Sequence, residues 1–326
     1  MKTIVCTGDS HTWGQGASGA VESISPAAEC GDLRLLSFKY KSYVNVLREM
    51  ICGCTNSSFS EIEAEELAKT SNLSLFEGCA VVSKSASIKL DSDLIRIQLR
   101  KNENPSSVSI YLDGRLYERV DLQTDKFEYG FTGMKTISIF CSGADPHNLE
   151  IKSDIGKALV YRIEVYKGEY AVINSGIGSC PAGRYINEYW HDYVERYNPK
   201  IVVMEAHTIN DWLTKYSPDE YEKVLIKYIR KIKCLNAVPI MLTVAPILGN
   251  QSIPYNSFSY QEFICASKRA ADIENVDIAD ANKIMNNHIK GLAEYEQFKL
   301  MFSDNWHVND LGHEIYANCI FNKIIL

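Results

Sequence analysis

Four short segments of the chain carry the residue types that acyl transfer by a serine nucleophile requires. They are residues 8–11 (GDSH), 174–179 (NSGIGS), 208–211 (TIND) and 304–307 (DNWH). Between them they supply a serine hydroxyl, an imidazole base, a carboxylate and several amide donors. Such a reaction needs neither a metal ion nor an organic cofactor, and we expect neither.

Alternating strand and helix patterns surround these segments. Short runs rich in Val and Ile indicate buried strands at residues 2–7, 171–173, 201–204, 239–244 and 276–279. Helical spacing of apolar residues indicates helices at 37–51, 182–197, 218–236 and 259–274. This alternation favours a parallel sheet. Because such sheets place their sites at the carboxyl ends of strands, we expect the first three segments to lie together.

A different pattern occupies residues 78–166. Apolar and polar residues alternate there, as in Ile95, Ile97 and Leu99, and Asp113-Gly114 between two such runs is a hairpin signal. The pattern predicts an antiparallel β-sandwich. We therefore expect a discontinuous α/β domain at residues 1–77 and 168–326, interrupted by an inserted β-sandwich domain at 78–167.

The four segments, in this order, resemble the sequence blocks of the SGNH/GDSL hydrolase family, over residues 1–52 and 168–326. The resemblance implies a flavodoxin-like, three-layer α/β domain with a parallel sheet. It implies that Ser10 is the nucleophile and that His307 is the general base. Asp304 would then fix the tautomer of His307 and stabilise its imidazolium.

The resemblance also implies an oxyanion hole formed by the Ser10 backbone N–H, the Asn210 side chain and one further amide. The family's glycine position is occupied by Ser179, with Gly178 just before it, so both remain candidates for that amide. Thr208 stands where the family usually has glycine, which would narrow the site or reflect a different turn.

Several neighbouring residues have less specific roles in the sequence. We interpret Asp9 and Asp211 as turn-fixing carboxylates, and His11 and His207 as supporting rather than reacting groups. Trp13 and Trp306 could form sugar-stacking walls or pack in the core. His313 falls in the last helical pattern and is interpreted as packing.

We expect a serine ester hydrolase that removes small acyl groups, O-acetyl foremost, from a carbohydrate. The expected insert resembles carbohydrate-binding modules of some glycan O-acetylesterases, and its aromatic residues could contact sugar: Tyr111, Tyr117, Phe127 and Tyr129. The alternatives are a lipolytic esterase, an acyl thioesterase, an acetyltransferase and a non-catalytic glycan-binding protein. The β module could also mediate oligomerisation.

Composition narrows the class of partner. The 326 residues carry a net charge of −7, with no basic cluster larger than Arg230-Lys231 and Lys233, which argues against nucleic acid. No run of about 18 apolar residues suggests a transmembrane helix, and the first residues lack a signal-peptide pattern. From these patterns we expect a cytoplasmic protein that does not bind membranes.

Overall fold

The computed structural model describes residues 1–18, 38–76, 78–124, 134–143, 146–248 and 256–324. The chain divides into two compact units. We call Lys2–Cys54 with Val172–Leu326 the α/β unit, and Met1 with Thr55–Ala171 the antiparallel unit.

After Met1, the chain forms the first part of the α/β unit, then the antiparallel unit, and then the rest of the α/β unit. The chain starts with β1 (Lys2–Gly8), α1 (Ser10–Trp13) and α2 (Tyr43–Cys54). It continues with β2 (Ser58–Glu63), α3 (Ala64–Ser71), β3 (Ser74–Phe76), β4 (Cys79–Val82), β5 (Ser85–Leu90), β6 (Leu94–Arg100), β7 (Ser107–Leu112), β8 (Arg115–Asp121), β9 (Met134–Phe140), β10 (His147–Ile155) and β11 (Ala158–Lys167). It ends with β12 (Tyr170–Gly176), α4 (Ala182–Arg184), α5 (Trp190–Tyr193), β13 (Ile201–Glu205), α6 (Thr208–Leu213), α7 (Pro218–Cys234), β14 (Val238–Leu242), α8 (Tyr260–Ile273), β15 (Asp277–Ala279), α9 (Ala281–Ile289), α10 (Glu294–Met301) and α11 (Asp310–Phe321).

The α/β unit contains a five-stranded sheet in the order β12-β1-β13-β14-β15. Its β1–β13, β13–β14 and β14–β15 pairs are parallel, which confirms the parallel sheet expected from the sequence. The Ile177 N–H donates to the Gly8 carbonyl at 2.9 Å, so the end of β12 lies beside the end of β1. The carboxyl ends of β12, β1 and β13 therefore meet at one edge.

The helices of this unit follow their sequence signals to different degrees. Both α7 and α8 begin with a capping box, in which Ser217 pairs with Glu220 and Ser259 pairs with Glu262. The helix expected at 182–197 is instead broken into α4, a π-helical turn at Tyr185–Tyr189, α5 and a short 3₁₀ turn. Helix α2 begins at Tyr43 rather than at residue 37, which lies outside the described residues.

The antiparallel unit contains two antiparallel sheets, ordered β5-β10-β7-β8 and β3-β4-β11-β6-β9, with β2 also paired to β11. One buried core includes residues of both sheets, among them Ile97 of β6 and Ile151 of β10. The β7–β8 connection is the expected hairpin, because Asp113 and Gly114 both have positive φ angles, 52° and 77°. Phe127 and Tyr129 lie outside the described residues.

The antiparallel unit begins at Thr55, whereas the sequence pattern predicted that it would begin at residue 78. Residues 55–77 lie in this unit because β2 pairs with β11, with Ser58 opposite Lys167, and because Leu67 of α3 joins the core. The two ends of the unit lie together, since the Tyr170 N–H donates to Ser57 Oγ at 2.8 Å. That this unit acts as a separate inserted domain stays a prediction.

Among the described helices, none has the length and apolar character needed to cross a bilayer.

Candidate active site

A continuous row of hydrogen bonds joins Ser10, His307 and Asp304. Ser10 Oγ lies 2.9 Å from His307 Nε2, and His307 Nδ1 lies 2.7 Å from Asp304 Oδ2. With a proton on Nδ1, His307 donates to the carboxylate and accepts the Ser10 hydroxyl proton at Nε2. The structure thus brings Ser10 together with Asp304 and His307, which follow it in the sequence by 294 and 297 positions.

The loop between α10 and α11 holds Asp304 and His307 in place. Asp304 Oδ1 accepts the backbone N–H groups of Trp306 and His307, both at 2.7 Å, and the Ser303 N–H donates to the His307 carbonyl at 2.9 Å. Burial opposes ionisation of Asp304, but the hydrogen bonds and charge of His307 and the two backbone donors hold its pKa below the usual value. Asp304 is therefore a carboxylate at neutral pH.

A cavity of about 400 Å³ opens over Ser10 and His307. Its described lining residues are Ser10, Gln15, Gly16, Ser179, Ile209, Asn210, Leu213, Ser303, Asp304, Trp306 and His307. Among them, only Ile209, Leu213 and Trp306 have predominantly apolar side chains. The volume lies in the range of small-molecule sites, and the polar lining suits a polar ligand.

Two candidate oxyanion donors lie at this cavity. Asn210 lies in the first turn of α6, and its Nδ2 group donates one hydrogen to Asp9 Oδ2 at 2.6 Å. The second Nδ2 hydrogen is left for a ligand. Ser179 is exposed, lines the cavity and has a φ angle of 54°. Gly178 is buried. Of these two residues, Ser179 is the one that lines the cavity, and its role as an oxyanion donor stays a prediction.

Thr208 does not narrow the cavity; it reflects a different turn. Its side chain is buried, with Oγ1 3.0 Å from the Tyr221 hydroxyl, which donates in turn to the Ala206 carbonyl. The left-handed backbone conformation falls one residue earlier, at His207, with φ 54°. The turn before Asn210 is thus formed without a glycine.

A buried network lies behind Ser10. The two oxygens of Glu205, the last residue of β13, accept the backbone N–H groups of Asp9 and His207, at 2.7 and 2.6 Å. Burial and the neighbouring Asp9 carboxylate raise the pKa of Glu205 well above its usual range. Burial likewise opposes ionisation of Asp9, yet the charge and hydrogen bond of His11 lower the pKa of Asp9. Of the two carboxyl groups, these surroundings favour the protonated form at Glu205 and the ionised form at Asp9.

The residue types of this network could also hold a cation, since ligand atoms of Asp9, His11 and Glu205 lie within 4.8 Å of one another. The hydrogen bonds described above already occupy the oxygens of both carboxyl groups, and His11 Nδ1 lies 2.9 Å from Asp9 Oδ1. We therefore assign the three side chains a hydrogen-bonding role.

Other sequence candidates take varied positions. Trp13 is buried in the core, whereas Trp306 lines the cavity with its ring centre 6.2 Å from that of Trp212. In the antiparallel unit, Tyr111 is half-buried, and Tyr117 is exposed and donates its hydroxyl to the Ser138 carbonyl at 3.0 Å. Sugar contact by the antiparallel unit stays a prediction.

Sequence reasoning did not select Glu205. A signal was present, because an acidic residue as the last member of a fully buried strand (IVVME) is unusual without a partner. The same reasoning gave Asp211 a turn-fixing role, and its Oδ2 does accept the Ala182 N–H at 2.8 Å.

No family model and no curated protein matches the chain. Similar solved structures include an acetylxylan esterase from Geobacillus stearothermophilus (24% identity, 48% of this chain and 73% of that chain, TM-score 0.41) and the acetyl xylan esterase AlAXEase (22%, 48% and 82%, 0.42). Another is a structure titled as a peptidoglycan O-acetylesterase (13%, 99% and 90%, 0.49). At these scores, similarity alone carries no argument about activity.

Proposed function

We propose that the protein is a serine ester hydrolase that removes small acyl groups, acetyl foremost, from a carbohydrate. The observation that carries the proposal is the hydrogen-bonded row Ser10–His307–Asp304 beside an open, polar cavity. A serine hydroxyl bonded to an imidazole, itself oriented by a carboxylate, is the arrangement that activates serine for attack on a carbonyl.

In this mechanism Ser10 Oγ attacks the ester carbonyl while His307 Nε2 takes the hydroxyl proton. The N–H groups of Ser10 and Ser179 and the Asn210 amide stabilise the oxyanion. The intermediate collapses to an acyl-Ser10 ester, and the alcohol leaves with the proton from His307. Water, deprotonated by His307, then attacks the acyl group and releases acetate and free Ser10.

The lining of the cavity supports a short acyl group on a polar alcohol. A long acyl chain needs an extended apolar channel, whereas the described lining is mostly polar, with Trp306 as an aromatic surface for a sugar ring. A lipolytic esterase or thioesterase would instead prefer octanoyl over acetyl p-nitrophenyl esters. An acetyltransferase would transfer the group to added acceptor sugars instead of releasing acetate.

The direct test measures acetate release from a panel of acetylated saccharides. We expect Ser10→Ala to lower kcat by about 10⁴-fold or more, while Ser257→Ala, an exposed serine of the same unit, leaves it unchanged. Full activity in Ser10→Ala would refute the mechanism. If the wild-type chain binds the saccharides without releasing acetate, a non-catalytic glycan-binding protein is the better description.

A further inference from the structure

Two buried histidines, His313 and His11, lie near the Ser10 turn, and their hydrogen-bond partners differ. His313 accepts the Tyr43 N–H at Nδ1 (3.3 Å) and lies 3.2 Å from the Gln15 carbonyl at Nε2. One nitrogen that faces a donor and one that faces an acceptor describe a neutral ring. Burial agrees with this, because it lowers the pKa of His313 to about 4.

His11 has acceptors at both ring nitrogens. Nδ1 lies 2.9 Å from Asp9 Oδ1, and Nε2 lies 2.9 Å from the backbone carbonyl of Trp306. Neither a carboxylate nor a carbonyl can donate a hydrogen bond, so each ring nitrogen needs its own proton. The ring is 1% exposed, so no bulk water can replace either partner.

We propose that His11 is a buried imidazolium that joins the Ser10 turn to the Asp304–His307 loop and thereby positions the reacting groups. The inference rests on the proposed function for its catalytic consequence, although the charge of His11 does not depend on it. Asp9 directly precedes Ser10, and Trp306 directly precedes His307. The link Asp9–His11–Trp306 therefore runs parallel to the 2.9 Å contact between Ser10 and His307.

The surroundings of His11 favour the charged ring. The titratable groups that interact with His11 or with its partner Asp9 come from several elements: Asp9 itself, Cys180, Glu205, His207, Asp211, Tyr260, Asp304, His307, His313 and Tyr316. Of these, Asp9 and Asp304 have lowered pKa values and are carboxylates, whereas burial favours the uncharged forms of Glu205, His207 and His313. Burial alone would lower the pKa of His11, but the Asp9 charge and the bonds to Asp9 and Trp306 raise it above the usual value.

Loss of one proton would break the link. A neutral ring would leave a bare nitrogen facing either the Asp9 carboxylate or the Trp306 carbonyl, and this lone-pair contact would displace the loop from Ser10. Activity should therefore decline on the alkaline side of the range in which a free histidine titrates. Because the change is in geometry, it should lower kcat more than it raises KM.

The first test needs no turnover. In protein labelled with ¹⁵N at its seven histidines, His11 should show protons on both ring nitrogens at pH 7–8. The spectrum of His11→Gln assigns the signal by its absence. A neutral tautomer of His11 at this pH would overturn the proposal whether or not the protein hydrolyses esters.

The second test compares pH profiles of kcat on p-nitrophenyl acetate. The Gln amide of His11→Gln can donate to the Trp306 carbonyl but does not titrate, so we expect kcat about 10- to 100-fold lower at pH 7 and no alkaline decline due to His11. The matched variant His313→Gln should keep the wild-type decline. An unchanged profile in a folded His11→Gln protein would refute the positioning role, whereas an inactive wild type would refute only the proposed function.

Discussion

Replacing Asp211 by Asn should change how the stability of the α/β unit depends on pH. Asp211 is buried; its Oδ2 accepts the Ala182 N–H, and its Oδ1 has no hydrogen-bond partner among the described residues. Burial raises the pKa of Asp211 to about 8, with a smaller contribution from the Asp9 charge, although the Ala182 bond acts in the opposite direction. In the folded protein this carboxyl group is thus protonated at neutral pH.

The sign of the effect follows from proton linkage. An unfolded Asp titrates near pH 4, so between about pH 4 and pH 8 the folded state binds one more proton than the unfolded state. The stability that this proton contributes is fully present below about pH 4 and is lost as the pH rises towards about 8. The slope is at most about 1.4 kcal/mol per pH unit, so wild type should lose roughly 2 to 3 kcal/mol between pH 5 and pH 7.

Asp211→Asn removes the titration and can still accept the Ala182 N–H through its amide oxygen. The free energy of unfolding of the variant should therefore rise by roughly 2 to 3 kcal/mol relative to wild type between pH 5 and pH 7. Urea unfolding followed by tryptophan fluorescence measures this unit alone, because it contains all four tryptophans: Trp13, Trp190, Trp212 and Trp306. A difference that stays constant with pH would refute the reasoning. Asp272→Asn, at an exposed position in α8, is the matched control.

Three further predictions concern the same unit. Asn210→Ala should lower kcat about 10²- to 10³-fold with a smaller change in KM, measured on p-nitrophenyl acetate; an effect on KM alone would exclude an oxyanion role. Gly16→Ala should lower kcat at least about 10-fold, because φ is +95° and an added Cβ would lie 2.1 Å from the Val308 carbonyl oxygen, displacing the loop. An unchanged kcat would show that the loop tolerates the shift. The buried neutral His313 should cost the wild type about 1.4 kcal/mol of stability per pH unit as the pH falls from about 6.5 towards 4, a loss that urea titration of His313→Gln should not show.

The sequence predicted the parallel sheet and indicated which candidate side chains would lie at its carboxyl edge. Buried strands are short apolar runs, and the polar residues directly after them must lie at the carboxyl edge of the sheet. The sequence alone therefore places Ser10 and Asn210 at this edge. Their catalytic roles remain predictions.

What could not be predicted depends on contacts distant in sequence. The charge that we propose for His11 depends on the Trp306 carbonyl, 295 positions away, as well as on Asp9, and the pKa of Asp211 is set by burial rather than by its neighbours in the chain. The strand Ser58–Glu63 (SFSEIE) has few apolar residues and becomes a strand through its pairing with β11. The alternating sequence pattern therefore predicted the beginning of the antiparallel unit at residue 78, although the unit begins at Thr55.

The pairing of Ser58 with Lys167 has a consequence for the order of folding. Strands β1 and β12 are neighbours in one sheet, but the antiparallel unit lies between them in sequence. More than about a hundred residues therefore separate Cys54 from Val172, where the chain leaves and re-enters the α/β unit. Once the antiparallel unit has folded, its two ends lie together. The effective loop that must close for β12 to pair with β1 is then much shorter, which lowers the entropic cost of loop closure by about 2 kcal/mol. We therefore expect substitutions that destabilise the β2–β11 pairing to slow formation of the Ser10 site, although they lie outside it.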